Sequence, residues 1–397
     1  MPQADHQLTL LKGSEGFFQA LVHAFDASVR EIRLETYIFH PEASVIAVAQ
    51  ALVRAANRGV AVYVLFDGAG TPTLAPAWRQ AFDDAGVRWR IFRPLGWAGV
   101  LFPRRWRRLH RKLCVVDGRI GFCGGINLID DYLDPNHGYL QQPRLDFAVQ
   151  VIGPLVRTMH ATMYQLWWRT QVSFQLQKAD LRGAWRDLQR ARLGDAKGIM
   201  AVDPQPGASA KLVLRDNLRN RTQIERAYRR ALACAQSDVL IANAYFLPGR
   251  KILESLIHVA RRGVRVRLLL QGRYEYFIPF HAARALYERL LAAGIEIYEY
   301  RPSFLHAKVA VVDGHWVTVG SSNIDPLSLL LAREANVVID DRGFAQGLLG
   351  HLDAVVREDA VRVDAQAYAQ RAWHVRWLDR IALLLMRLTL FLIGLRY

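Results

Sequence analysis

Cysteine is scarce in this chain. There are three in 397 residues, Cys114, Cys123 and Cys234, an odd number with no spacing that suits a metal. That excludes a disulfide-stapled scaffold and a structural zinc site, and the three thiols read as small buried hydrophobes in a reducing compartment. Clustered carboxylates of the kind that hold two catalytic metals are also missing, so neither a metal nor a cofactor is expected. The N-terminal stretch MPQADHQLTLLKGSEGFFQALVHAF has no basic segment followed by a long apolar core. Neither a signal peptide nor a leading membrane span is therefore expected. Acidic residues are outnumbered, 36 against 52 Lys and Arg, which leaves a net charge of +16. Such a balance points to an anionic partner, nucleic acid or an anionic membrane surface, and composition does not choose between them. An apolar share of 52% over this length suffices for two lobes with separate cores.

What is present is a doubled motif. HRKLCVVDGRIGFCGGIN begins at His110 and HAKVAVVDGHWVTVGSSN at His306, and they match position for position: Lys112 with Lys308, Asp117 with Asp313, Asn127 with Asn323. Each copy predicts a β-hairpin, because a β-branched run ends in Asp-Gly and a second apolar run follows. Alternation along a strand puts each His and its Lys on one face. The two aspartates fall at the turn, out of phase with the histidines, and read as turn-formers or ion-pair partners of the motif.

Two imidazoles and two ammoniums converging on one cleft suit a tetrahedral anion, a phosphodiester. One His attacks phosphorus and the other protonates the leaving oxygen, while lysines and asparagines hold the non-bridging oxygens. The reaction then passes through a phosphohistidine without a metal. Each His needs an acceptor on its far nitrogen. Asp146 in RLDFAVQV and Glu334 in REANVVID occupy matching places and are expected to orient His110 and His306 respectively. Phosphate contact is expected from Asn127, Asn323 and Ser321, although the asparagines could instead cap the following turn.

The paired H-x-K-x4-D and G-x-x-N motifs resemble the phospholipase D superfamily. Within it, GGIN and GSSNIDPLSLLLAREANVVI resemble the bacterial cardiolipin synthases of the short type without N-terminal membrane spans, those like cardiolipin synthase B. The resemblance runs over roughly residues 10 to 365, and the paired motif is its specific part. It implies catalytic use of His110, Lys112, Asp117, His306, Lys308 and Asp313, with the N-terminal His as nucleophile; the residues themselves do not rank the two. One departure is Gly125, where the superfamily pattern has the Ser seen at Ser321.

The fold class expected is α/β: two pseudo-twofold-related phospholipase D-like α/β/α lobes sharing one active site. Strands and helices alternate before each motif in the same order, and Arg58-Gly59-Val60 matches Arg262-Gly263-Val264, the mark of an internal duplication. The domains read as a lobe over 1–172, a charged and Gly/Pro-rich linker or cap over 173–209, a second lobe over 210–370, and an apolar, basic C-terminal segment over 371–397. In FPRRWRRLHRK, Arg104, Arg105, Arg107, Arg108 and Arg111 interleave with Phe102 and Trp106, as a headgroup-binding rim or a nucleic-acid contact would. The nearly unbroken apolar run Ile381 to Leu395 is short for a span and predicts an interfacial or half-inserted anchor flanked by Trp and Arg; the alternative is a helix docked on a lobe or on a second copy.

Three functions follow from this reading. The first is phosphatidyl transfer from phosphatidylglycerol or phosphatidylethanolamine to the glycerol hydroxyl of phosphatidylglycerol, making cardiolipin, by a peripheral enzyme on the cytoplasmic side of the inner membrane. The second is hydrolysis of phospholipid or nucleic acid with water as acceptor, with nucleic acid the less expected substrate. The third is a membrane adaptor that keeps the fold without activity, which two intact motifs argue against.

Overall fold

In a computed structural model the described residues are 6–94, 107–134, 137–177, 180–198, 210–216, 220–325 and 332–392. Phe102, Arg104, Arg105 and Trp106 of the arginine-rich stretch lie outside them, as do the end of the expected linker and the last residues of the apolar run. The chain divides into two compact units. One holds 1–123, 127–130 and 149–212, the other 124–126, 131–148 and 213–397.

The first unit is organised on a seven-stranded sheet, in spatial order Gln7–Lys12, Phe147–Ile152, Ile120–Gly124, Lys112–Val116, Glu31–Thr36, Ala61–Asp67 and Arg88–Phe92. The last three strands run parallel, and Lys112–Val116 joins them antiparallel. Glu31–Thr36 and Lys112–Val116 are buried at almost every position rather than at alternate ones, as strands covered on both faces must be. Helices Gly13–Asp26 and Val45–Asn57 pack on each other, and Leu155–Gln177 packs on the two central strands.

The second unit repeats this order strand for strand: Ala210–Arg215, Ala332–Asp340, Trp316–Gly320, Lys308–Val312, Asp238–Asn243, Arg265–Gln271 and Glu296–Tyr300, with Ala360–Arg362 added at the edge. Its core includes Ile241, Leu256, Leu268, Leu290 and Ile297, all without solvent exposure. The duplication read from the two motifs is thus a duplication of whole α/β units.

Two local readings change. Residues 173–209 are not all linker: the helix Leu181–Gly198 packs against Leu155–Gln177, with Ala191 and Asp187 buried. Its stretch is rich in charge and poor in apolar residues, so composition hides it. Cys114 and Cys123 are buried but Cys234 is exposed. Burial pushes the Cys114 thiol well up, away from thiolate chemistry.

Candidate active site

Each motif hairpin is closed by its Asp-Gly pair. In the second copy the last paired residues are Val312 and Trp316, so the loop has three residues rather than two. Asp117 and Asp313 both have positive φ, 53° and 50°, followed by Gly118 and Gly314 at 66° and 64°. The Asp117 carboxylate accepts the backbone N–H groups of Val29, Arg30 and Glu31 at 2.8–2.9 Å. That of Asp313 accepts those of Gln236, Ser237 and Asp238 at 2.8–3.1 Å. Partial burial would raise both carboxyls, but these donors outweigh it and hold them below the usual carboxylate range. Each aspartate therefore ties its hairpin to the start of the neighbouring strand, at the far end of the motif strand from the His. This geometry matches the turn-forming reading of the two aspartates.

At the other end of the first motif strand, the Lys112 ammonium donates to the His110 carbonyl at 2.8 Å. Tyr37 meets His110 edge to face, centroids 5.0 Å apart, and Lys112 Nζ lies 5.5 Å from the same ring. His and Lys do share a face, and an aromatic ring sets it. Between them Arg111 turns the other way and forms a buried ion pair with Glu35, Nη2 to Oε1 at 2.9 Å. Asn127 uses the acceptor half of its amide on the Ile38 N–H at 3.3 Å.

In the second motif Lys308 donates to the His306 carbonyl. The His306 ring meets a carboxylate through Nδ1, 2.6 Å from Asp146 Oδ2, and Lys308 Nζ lies 3.9 Å from the same oxygen. The other oxygen of Asp146 accepts the Phe147 N–H at 2.8 Å. Asp146 thus meets His306, where the expectation had set it on His110. The reason is topological. Leu145 bridges in parallel to Leu305, with Leu145 N–H donating to Phe304 at 3.0 Å and His306 N–H to Leu145 at 2.9 Å, which sets Asp146 beside His306.

Gly125 belongs to this arrangement. A Cβ there would lie 2.4 Å from Asp146 Oδ1, so the carboxylate occupies the space that a serine side chain would need. In the second copy Ser321 is present and its hydroxyl donates to Glu334, both fully buried. Ser321 was expected on phosphate; its proton is committed to a carboxylate instead. The two copies solve the same local packing as Gly with Asp and Ser with Glu.

The strand beside each motif differs as well. Glu35 pairs across from Leu113 and Ala242 across from Val309, so Glu35 and Ala242 are equivalent, as are Arg111 and Ala307. The buried ion pair of the first copy is a pair of alanines in the second. One residue further, Asn243 lies directly opposite Lys308, on the same face of the sheet. It has no solvent exposure, and its Nδ2 has no partner among the described residues. In the sequence Asn243 is marked only as a polar residue closing the apolar strand DVLIAN.

Burial lowers Lys308 to about 8, against the pull of Asp146, Glu334, Glu275 and Asp325, which favour its charge. If the ammonium neutralises phosphate, kcat/KM should fall as pH rises through about 8, approaching about tenfold per unit. Lys308→Arg, charged throughout, should lose that limb of the profile; an unchanged limb would assign it to another group. The stability sign runs the other way. Between about 8 and the ordinary 10.5 the unfolded chain binds the proton more firmly than the folded one, so this group's contribution to stability rises with pH across that window.

Comparison with known proteins agrees with this doubled architecture. The family model described as "Cardiolipin synthase, PLD-like domain" matches residues 21–141 and 228–356. Cardiolipin synthase B of Shigella flexneri is 37% identical over 93% of this chain and 84% of its own length. Cardiolipin synthase B of Salmonella typhi is 38% identical over 93% and 84%. Among solved structures, phosphatidylserine synthase of Haemophilus influenzae Rd KW20 superposes with a TM-score of 0.69 over 96% of this chain and 94% of its own, at 14% identity, a likeness of fold alone. The chain belongs to the cardiolipin synthase family of phospholipase D-like proteins.

Proposed function

We propose that this chain is a phosphatidyltransferase that makes cardiolipin. In the first step a nitrogen of His110 bonds to the phosphorus of a donor phospholipid. The bond from phosphorus to the leaving alcohol oxygen breaks, and His306 supplies that oxygen with a proton. In the second step the glycerol hydroxyl of phosphatidylglycerol gives its proton to His306 and attacks phosphorus, and the bond to His110 breaks. Lys112, Lys308, Asn127 and Asn323 hold the non-bridging oxygens. What supports the reading is family membership over nearly the whole chain, together with the Asp146 carboxylate held on His306 Nδ1. An anionic partner at Nδ1 fixes the tautomer and balances the imidazolium that the first half-reaction consumes and the second restores. The donor is phosphatidylglycerol or phosphatidylethanolamine, and the enzyme works peripherally on the cytoplasmic face of the inner membrane.

The experiment is mass spectrometry of lipids after the purified protein has been incubated with phosphatidylglycerol vesicles, with and without phosphatidylethanolamine. Cardiolipin from the wild type, and none from His110→Ala or His306→Ala, is the expected result. Phosphatidic acid alone would make water the acceptor and the protein a hydrolase. No lipid change at all would overturn the lipid reading.

A further inference from the structure

The helix Trp373–Leu392 has two unlike faces. Its inner face is fastened: Asp379, 1% exposed, meets His281 Nδ1 at 2.7 Å and Arg371 Nη1 at 3.0 Å. Ala382 is buried, and Leu383 and Met386 pack on the core of the second unit. Its outer face is bare. Trp373, Trp377, Ile381, Leu384 and Leu388 are 73, 57, 46, 65 and 49% exposed, and their spacing of three and four residues lines them along one stripe. The helix Phe277–Arg284 packs against this one, and at its start Tyr276, Phe277 and Ile278 are also exposed. Among the described residues no helix is long and apolar enough to cross a membrane.

We propose that this outer face lies flat on a bilayer of anionic lipid, the helix staying docked on its unit rather than inserting end-on. The proposal rests on the preceding reading only in that the substrate is a bilayer lipid. Charge selects the occupant. Asp379 is the helix's one acid and is buried, so the charges the helix itself brings to the surface are Arg376, Arg380 and Arg387. Arg376 and Arg380 reach one carboxylate, Glu288, at 3.3 and 4.0 Å, which leaves the rim positive. A second copy packed face to face would set arginines against arginines, whereas anionic headgroups complement them, and Trp and Tyr suit the headgroup level. From sequence alone an interfacial or half-inserted anchor was expected, with a docked helix as the alternative; the geometry points to a helix that is docked on one side and faces lipid on the other.

The test uses the full chain and a Trp377→Ser/Leu384→Ser/Leu388→Ser variant, floated with phosphatidylcholine vesicles with or without phosphatidylglycerol. Binding to the anionic vesicles is expected to fall about tenfold or more, with thermal unfolding unchanged. Cardiolipin formation should fall in parallel on vesicles but not on monomeric short-chain phosphatidylglycerol. Should the triple variant unfold early, Leu384→Ser alone, at the more exposed position, should still weaken flotation. Unchanged flotation, or a wild-type dimer that the variant converts to monomer while flotation persists, would overturn the proposal. A wild type that floats but makes no cardiolipin would sink the enzyme reading and leave this surface standing.

Discussion

An Asp146→Asn enzyme is expected to make cardiolipin about a hundred to ten thousand times more slowly than the wild type. The substitution keeps the size of the side chain, and one end of the amide can still accept the Phe147 N–H, as Asp146 Oδ1 does at 2.8 Å. That contact turns the Nδ2 donor toward His306. Where Asp146 Oδ2 met His306 Nδ1 at 2.6 Å, two donors would face each other unless the ring moves its proton to Nε2. The ring then presents the wrong nitrogen to the substrate and loses the negative charge that stabilises its protonated form. Asp146 contacts the His306 ring, so KM should change little while kcat collapses, and thermal unfolding should stay near wild type. A large rise in KM with kcat intact would show that Asp146 acts on substrate directly.

The second large effect is expected from Gly125→Ser, which installs the residue that the superfamily pattern has at this place. A Cβ at 125 would come within 2.4 Å of one Asp146 oxygen and 2.6 Å of the other. No real contact is that short, so the carboxylate must leave its seat and His306 with it. Overpacking of this kind costs about 1–3 kcal/mol, and activity should fall into the range of Asp146→Asn. Adding Asp146→Glu recreates the Ser and Glu combination that the second copy uses at Ser321 and Glu334. The double variant should be more active than Gly125→Ser alone, because the serine hydroxyl gains an acceptor and the longer side chain can reach past it. If the double variant is no better, the two positions are not coupled as the geometry implies.

Much of this was legible in the chain. The motifs at His110 and His306 announce themselves by matching position for position, and Asp-Gly predicts both hairpins because few other pairs accept positive φ twice. The carboxylates Asp146 and Glu334 were identifiable as matching acids after matching hairpins. The partner of Asp146 was not, because it depends on a bridge between Leu145 and Leu305, and no local pattern encodes a pairing across 160 residues. Leu181–Gly198 escaped for a different reason: its stretch is rich in charge and low in apolar content, so composition reads as linker even though its apolar residues recur at helical spacing. The Gly at 125 was visible as a departure, but only the neighbouring carboxylate explains it.

The Arg111–Glu35 pair bears on how the two halves can change over generations. Removing one member of a buried ion pair leaves the other charge stranded, at about 3–5 kcal/mol, whereas replacing both by apolar residues is often harmless. The first half can therefore reach the Ala307 and Ala242 arrangement of the second only through a deeply weakened single mutant, or by two changes at once. The two halves, alike in plan, sit on opposite sides of a mutational valley. A gene conversion that copied one motif over the other without its neighbouring strand would produce a protein that folds poorly.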